Sequence, residues 1–242
     1  MAAHQQGDKN KLKQMEPLQA NSRLHTVIFD MDGLLIDSEP LWEEAGTELL
    51  VAYGCQLTPE LYAATVGLRT QEWLQYWFHH FGIRAANLEQ AEQSIVDSVI
   101  AKVEQQPRMM AGVHYILDYF KQRGFKIALA TSSPLRMAEK VVALLGIGHF
   151  FEVLTSAEHM PYGKPHPQVY LQCAQQLQVD PLGCLCFEDS FNGMIAAKAA
   201  KMKCVVVPAA SQLTQARWGA ADLKLSSLQN FNDLLLAPMM GG

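Results

Sequence analysis

The sequence predicts an α/β protein: a parallel sheet covered by helices on both faces, interrupted by an all-α insertion. Two patterns predict it. After Pro107, short apolar runs alternate with segments of helical period, and near-continuously apolar strands belong to sheets buried on both faces. Between the first apolar run and the second lies a block of about 70 residues with helical period and no convincing strand. The chain has 242 residues, enough for one large domain or two small ones and for a core that needs no disulfide or metal staple.

The elements follow in order. Residues 1–22 are polar and unpatterned and read as a disordered tail. Residues 24–29 are rich in β-branched side chains and stop at Asp30, the pattern of a buried strand. Ser38 followed by Pro40 marks a helix start, a capping hydroxyl and then proline in the first turn. Helical period then runs through 41–53, 71–81 and 88–104, broken by Gly54, Gly67 and Gly82. Beyond Pro107 come a helix over 113–123, a strand over 126–131, a helix over 135–145 and a strand over 151–154. A helix over 168–177, a strand over 184–188, a helix over 192–201 and a strand over 203–207 complete the pattern. The domain plan is therefore a core of 23–36 and 108–242 with a helical unit at 37–107 inserted after the first strand.

Composition narrows the function. Hydrophobic residues make up 49% and charged residues 18%, ordinary for a globular chain and unlike a disordered or collagenous one. The net charge of −5 lacks the basic footprint of a nucleic-acid binder, so an anion can be held only at a focused local site. No apolar run is long enough to span a bilayer, and the N-terminus lacks a signal peptide's apolar stretch, so the expected compartment is the cytoplasm. The five cysteines are odd in number and form no zinc spacing; they read as small buried apolar residues. The eight histidines form no metal-spaced pair.

In open parallel sheets ligands bind beyond the carboxyl ends of the strands. There the sequence places Asp30-Met31-Asp32-Gly33, Thr131-Ser132-Ser133, Gly163-Lys164-Pro165 and Glu188-Asp189-Ser190. Each has a plain reading alone. Asp-x-Asp-Gly is often a turn, and acids favour a helix's first turn. Four polar clusters at four successive strand ends point instead to one site.

With these motifs in this order, the chain resembles the haloacid dehalogenase superfamily of phosphotransferases, over about residues 24–230. The insertion resembles that family's all-α cap, and the remainder its Rossmann-like core. Residues 33–40 and Lys164-Pro165-His166-Pro167 look like the β-phosphoglucomutase-like branch. The stretch 187–202 and the pairing of Pro40 with Trp42 are similar to bacterial hexitol-phosphate and 2-deoxyglucose-6-phosphate phosphatases.

The resemblance implies a Mg²⁺-dependent phosphatase of small phosphorylated sugars or polyols, a monomer or weak dimer. Asp30 would be the nucleophile; a carboxylate with a reference pKa near 3.9 is ionised at neutral pH. Asp32 would be the general acid and base, and its presence favours phosphoryl transfer over carbon–halogen hydrolysis, because a leaving alkoxide needs a proton and a halide does not. Lys164, the Thr131 hydroxyl and the Ser132 amide would hold the phosphoryl oxygens. Asp30, Asp189 and the Asp32 carbonyl would hold Mg²⁺, with Glu188 orienting a bound water. On the insertion, Glu39 and Trp42 suit a sugar's hydroxyls and C–H face, and Arg69 either reaches the phosphate or a hydroxyl or stands in solvent. Trp73, Tyr76 and Trp77 are expected mainly in the cap's own core. A phosphosugar mutase shares the aspartyl-phosphate. A phospho-acceptor signalling module would also place an aspartate at a strand end, but it lacks so large an insertion.

Overall fold

The computed structural model describes residues 24–84 and 87–240; the expected tail at 1–22 lies outside them. The first strand and the inserted helices are β1 (Thr26–Phe29), α1 (Glu39–Ala52), α2 (Pro59–Ala63), α3 (Thr70–His80) and α4 (Leu88–Gln105). Then come α5 (Val113–Gln122), β2 (Lys126–Thr131), α6 (Leu135–Leu144), β3 (Val153–Ser156), α7 (Gln168–Gln176), β4 (Cys184–Glu188) and α8 (Phe191–Ala199). The chain ends through β5 (Lys203–Val206), β6 (Leu223–Lys224) and α9 (Asp233–Met240).

All six strands are parallel, in the order β3-β2-β1-β4-β5-β6. The order reverses between β1 and β4, the switch point at which doubly wound sheets open a ligand crevice. Phe29 lies opposite Leu129 on one side and Phe187 on the other, so Asp30 and Glu188 leave the sheet as neighbours.

The strands are apolar throughout because both faces are covered. Val27, Phe29, Leu185 and Phe187 pack toward α5 and α6, while Ile28, Cys184 and Cys186 pack toward α7 and α8. That is the two-residue alternation of a pleated strand. Behind the site, Phe29 stacks on Phe187 at 5.1 Å between ring centroids, and both meet Phe120. Losing one such ring costs about 3–5 kcal/mol, so the two strand ends that carry Asp30 and Glu188 have a stiff foundation. Four of the five cysteines are buried and Cys55 is partly so; all are free, and burial pushes the Cys173 and Cys184 thiols up to about 12.

Helices α1–α4 form a cap region joined to the core by two adjacent connections. Asp37 N donates to Arg108 O at 2.8 Å, Met110 N donates to Leu35 O at 3.0 Å, and Ile36 bridges Met109 in antiparallel pairing. Helix α2 has five residues and β6 two, too short for periodicity to reveal; Pro238 inside α9 hides that helix. Ser38 does stand at the N-cap of α1, but its hydroxyl makes no capping bond. It donates to Asp32 Oδ1 at 2.6 Å, so the expected cap residue serves the site instead. Among the described residues no helix is long and apolar enough to cross a membrane.

Candidate active site

Asp30 follows the last residue of β1 and Glu188 ends β4, with Lys164 between them. The Lys164 ammonium donates to Asp30 Oδ1 and to Glu188 Oε1, both at 2.6 Å, and to Ala130 O at 3.3 Å. Lys164 is 2% exposed, buried against both carboxylates. Tyr170 on α7 donates its hydroxyl to Glu188 Oε1, and Ser190 O–H and N–H donate to Glu188 Oε2. Burial raises Asp30 to about 8, against the pull of Lys164 and with added repulsion from Glu188 and Asp32, so the ionisation expected from its reference value needs further positive charge beside it. Burial also raises Asp189 well above the usual carboxylate range, with Asp30 and Glu39 adding to it.

Asp32 lies outside that ion pair, in a ring of donors. Its Oδ1 accepts from Ser38 Oγ at 2.6 Å and Trp42 Nε1 at 2.9 Å. Its Oδ2 faces Ser133 Oγ at 2.6 Å and Thr131 Oγ1 at 3.5 Å. The two oxygens are not equivalent. An indole N–H can only donate, whereas a hydroxyl can turn and accept. At Oδ2 both neighbours are hydroxyls, whereas at Oδ1 one neighbour is an obligate donor. Gly33, at φ +71°, closes the turn after Asp32, and a Cβ there would collide with the Asp189 carboxylate.

Above these groups lies a cavity lined from the core by Asp30, Asp32, Thr131, Ser132, Lys164 and Asp189, and from the cap by residues that include Glu39 and Trp42. Ser132 donates its hydroxyl to Gly67 O at 2.9 Å, and Asn192 donates to Val66 O at 3.0 Å, so the loop before α3 is docked on the core. Burial raises Glu39 to about 8, with Asp32 and Asp30 adding repulsion.

Arg69 does not reach this cavity, contrary to the sequence expectation. It is 6% exposed and its guanidinium is spent on the core loop that leads to Lys164. Nη1 donates to Ala157 O at 3.1 Å and to Met160 O, and Nη2 donates to Glu72 Oε1 at 2.6 Å. Glu72 Oε1 also accepts from Gly163 N at 3.0 Å. The three residues expected mainly in the cap core divide. Trp77 is there, donating to Thr65 Oγ1 at 3.2 Å; Tyr76 is 51% exposed; Trp73 packs over Gly46 and also lines the cavity.

The donor set fits a hard divalent cation. Asp30, Glu188 and Asp189 bring carboxylate oxygens within 4.8 Å of one another. Among the described residues their one cationic neighbour is Lys164, so three clustered carboxyl groups face a single cation and a further cation would suit them.

A family model described as haloacid dehalogenase-like hydrolase matches residues 27–207. The chain belongs to the haloacid dehalogenase-like hydrolases. It is 43% identical over 203 residues to hexitol phosphatase B of Escherichia coli K12, covering 83% of this chain and 91% of that one. It is 33% identical over 177 residues to a phosphorylated carbohydrates phosphatase of Thermotoga maritima, covering 73% and 82%. The solved β-phosphoglucomutase of Clostridium difficile superposes with a TM-score of 0.79 at 21% identity, over 90% of this chain and 97% of that one, a likeness of fold.

Within this haloacid dehalogenase-like site, sequence reasoning missed Ser38, Ser133 and Tyr170. Ser133 had a signal, since it follows Thr131 by two residues at a strand end. Ser38 was masked by its helix-cap role. Tyr170 sits on α7 at a position whose period marks only a buried face.

Proposed function

We propose that this hydrolase is a Mg²⁺-dependent phosphatase of small phosphorylated sugars or polyols, acting through an aspartyl-phosphate on Asp30. The observation that carries this reading is the division of labour between two carboxylates at one switch point. Asp30 is clamped by Lys164 through Oδ1, which leaves Oδ2 to attack; Asp32 is held by hydroxyls that suit a proton on Oδ2. The hexitol and carbohydrate phosphatases among the relatives support the substrate class. We take residues 37–107 as the cap unit that covers the site.

The substrate's phosphoryl group sits between Asp30 and the Asp32 carboxyl. The Thr131 hydroxyl and the Ser132 N–H donate to its oxygens, and Lys164 balances part of its charge. Asp30 Oδ2 attacks phosphorus, the phosphorus–oxygen bond to the sugar breaks, and the proton on Asp32 Oδ2 passes to the departing alkoxide. Water then attacks the aspartyl-phosphate and gives its proton back to Asp32. Inorganic phosphate leaves and Asp30 is restored. Asp30, Asp189 and the Asp32 carbonyl, with Glu188 alongside, would hold Mg²⁺, which neutralises phosphoryl charge so that one anion can approach another.

The test is Asp30→Asn, assayed for phosphate release from glucitol 6-phosphate and p-nitrophenyl phosphate. An amide is too poor a nucleophile, so a folded variant should lose turnover. Activity within tenfold of wild type would refute the assignment.

A further inference from the structure

We infer that Tyr170 is a positioning residue for phosphoryl transfer: its hydroxyl holds Glu188 so that the Lys164 ammonium sits against the Asp30 nucleophile. The inference rests on the phosphatase reading above and adds a residue to it. Tyr170 takes no part in the steps given there. Yet it is fully buried on α7 and touches both partners of the Lys164–Glu188 ion pair. Its hydroxyl donates to Glu188 Oε1. The Lys164 ammonium lies 5.1 Å from its ring centroid, within cation–π range.

Donor counts and closed space decide where Lys164 sits. An ammonium has three N–H groups. Those of Lys164 go to Asp30 Oδ1 and Glu188 Oε1 at 2.6 Å each and, more weakly, to Ala130 O at 3.3 Å. Two carboxyl groups therefore compete for one cation. Glu188 Oε1 accepts from Lys164 and Tyr170, while Oε2 accepts from Ser190 Oγ at 3.1 Å and Ser190 N at 3.3 Å. A carboxylate offers about four acceptor sites, so these donors fill it. Helix α8 closes in on the same group: a Cβ on Gly193 would lie 1.9 to 2.1 Å from the Glu188 carboxyl atoms.

Without the Tyr170 hydroxyl, Oε1 keeps Lys164 alone. A fully buried carboxylate short of a donor draws harder on the donor that remains. The ammonium then shifts toward Glu188 and away from Asp30. Asp30 Oδ1 loses its clamp, and Oδ2 is no longer aimed at phosphorus. Every charge at the site survives, so phosphate is still held and alignment is what is lost.

The experiment uses two variants. Tyr170→Phe keeps the ring and removes the hydroxyl; Tyr170→Leu removes both. Single-turnover release of p-nitrophenolate from p-nitrophenyl phosphate is followed with Mg²⁺ and a saturating excess of enzyme, where an inactive fraction does not alter the rate constant. Tyr170→Phe should lower that rate constant by about 10- to 100-fold, as a misalignment of up to about 1 Å does. The loss should be the same on glucitol 6-phosphate, because Asp30 attacks phosphorus in both. Inorganic phosphate, titrated by calorimetry, should bind within about threefold of its wild-type affinity because no charge has been removed. Melting curves establish that the variants fold. A Tyr170→Phe rate constant within about twofold of wild type overturns the inference even if Tm falls. So does a loss confined to Tyr170→Leu, which would assign the ring to packing alone. A phosphate affinity that falls in step with the rate constant overturns it too, because binding rather than alignment would then be lost. If wild type hydrolyses both substrates and Tyr170→Phe keeps pace, only the role of Tyr170 is wrong. If wild type hydrolyses neither with Mg²⁺ present, the phosphatase reading falls and this inference with it.

Discussion

Arg69→Ala tests whether this side chain latches the cap or touches the substrate. In the structure its guanidinium ties the start of α3 to the core loop that leads to Lys164, through Ala157 O at 3.1 Å and Met160 O. The contact to Pro161 O, at 3.4 Å, is long and adds little. Hydrogen bonds to a charged group contribute about 1.5–3 kcal/mol each. These figures are already net of exchange with water, so the two good bonds together hold the closed state by about 3 kcal/mol at the low end of that range. With tenfold in an equilibrium for every 1.36 kcal/mol, the closed population relative to open falls by roughly 100-fold in Arg69→Ala. If only the closed state turns over, kcat/KM falls by up to that factor. The loss should be the same, within about threefold, on glucitol 6-phosphate and p-nitrophenyl phosphate, because the latch acts before any hydroxyl is read. Gly163→Ala attacks the same contact from the core side. Its Cβ would collide with the Glu72 carboxylate and come within 2.7 Å of Arg69 Nε, so it should show the same uniform loss. Melting curves of both variants establish that they fold. A loss confined to the polyol phosphate would put the guanidinium on the substrate and refute the latch; no loss on either substrate would show that the contact carries no energy.

Asp32→Asn should lower kcat far more for glucitol 6-phosphate than for p-nitrophenyl phosphate, whose phenolate departs without a proton; equal losses in steady-state assays would remove the acid role. Chelation with EDTA should abolish phosphate release and Mg²⁺ restore it, while Ca²⁺ binds and inhibits because its looser coordination misplaces the attacking carboxylate. Asp189→Ala should raise the Mg²⁺ concentration needed for half-maximal rate, and an unchanged titration would exclude Asp189 from the ligand set. Asp222 concerns stability rather than chemistry. Partial burial opposes its ionisation, but hydrogen bonds from Lys198 at 2.5 Å and Cys204 N at 2.8 Å outweigh that and hold its carboxyl below the usual range. A carboxyl depressed in the folded state takes up protons first in the unfolded chain as pH falls. Its contribution is thus whole above about pH 4 and is lost as pH falls through the lower folded value. Asp222→Asn should flatten the decline of Tm between about pH 5 and pH 3, and parallel Tm curves for the two proteins would contradict this.

What the sequence makes legible is set by range. The strands of the core announce themselves because both faces are buried: Val27, Ile28 and Phe29 are all fully buried, so no polar residue interrupts the run. The clusters at Asp30, Thr131, Lys164 and Glu188-Asp189 are legible because a parallel sheet delivers every strand end to one edge, whatever the side chains do there. Partnership is different. Ser38 is a sound helix cap by local rules, yet the Asp32 carboxylate six residues earlier competes for its hydroxyl and wins at 2.6 Å. Arg69 is as able to bind a phosphate as to bind carbonyls, and nothing near it in sequence says which. The choice is made by residues 157–163, about 90 positions away, whose carbonyls the closed cap would otherwise bury without donors. An unmet buried carbonyl costs as much as a substrate contact gives, so the fold claims the guanidinium first. Residue type therefore limits what Arg69 or Ser38 can do, and the cost of leaving a neighbour unpaired decides what each does.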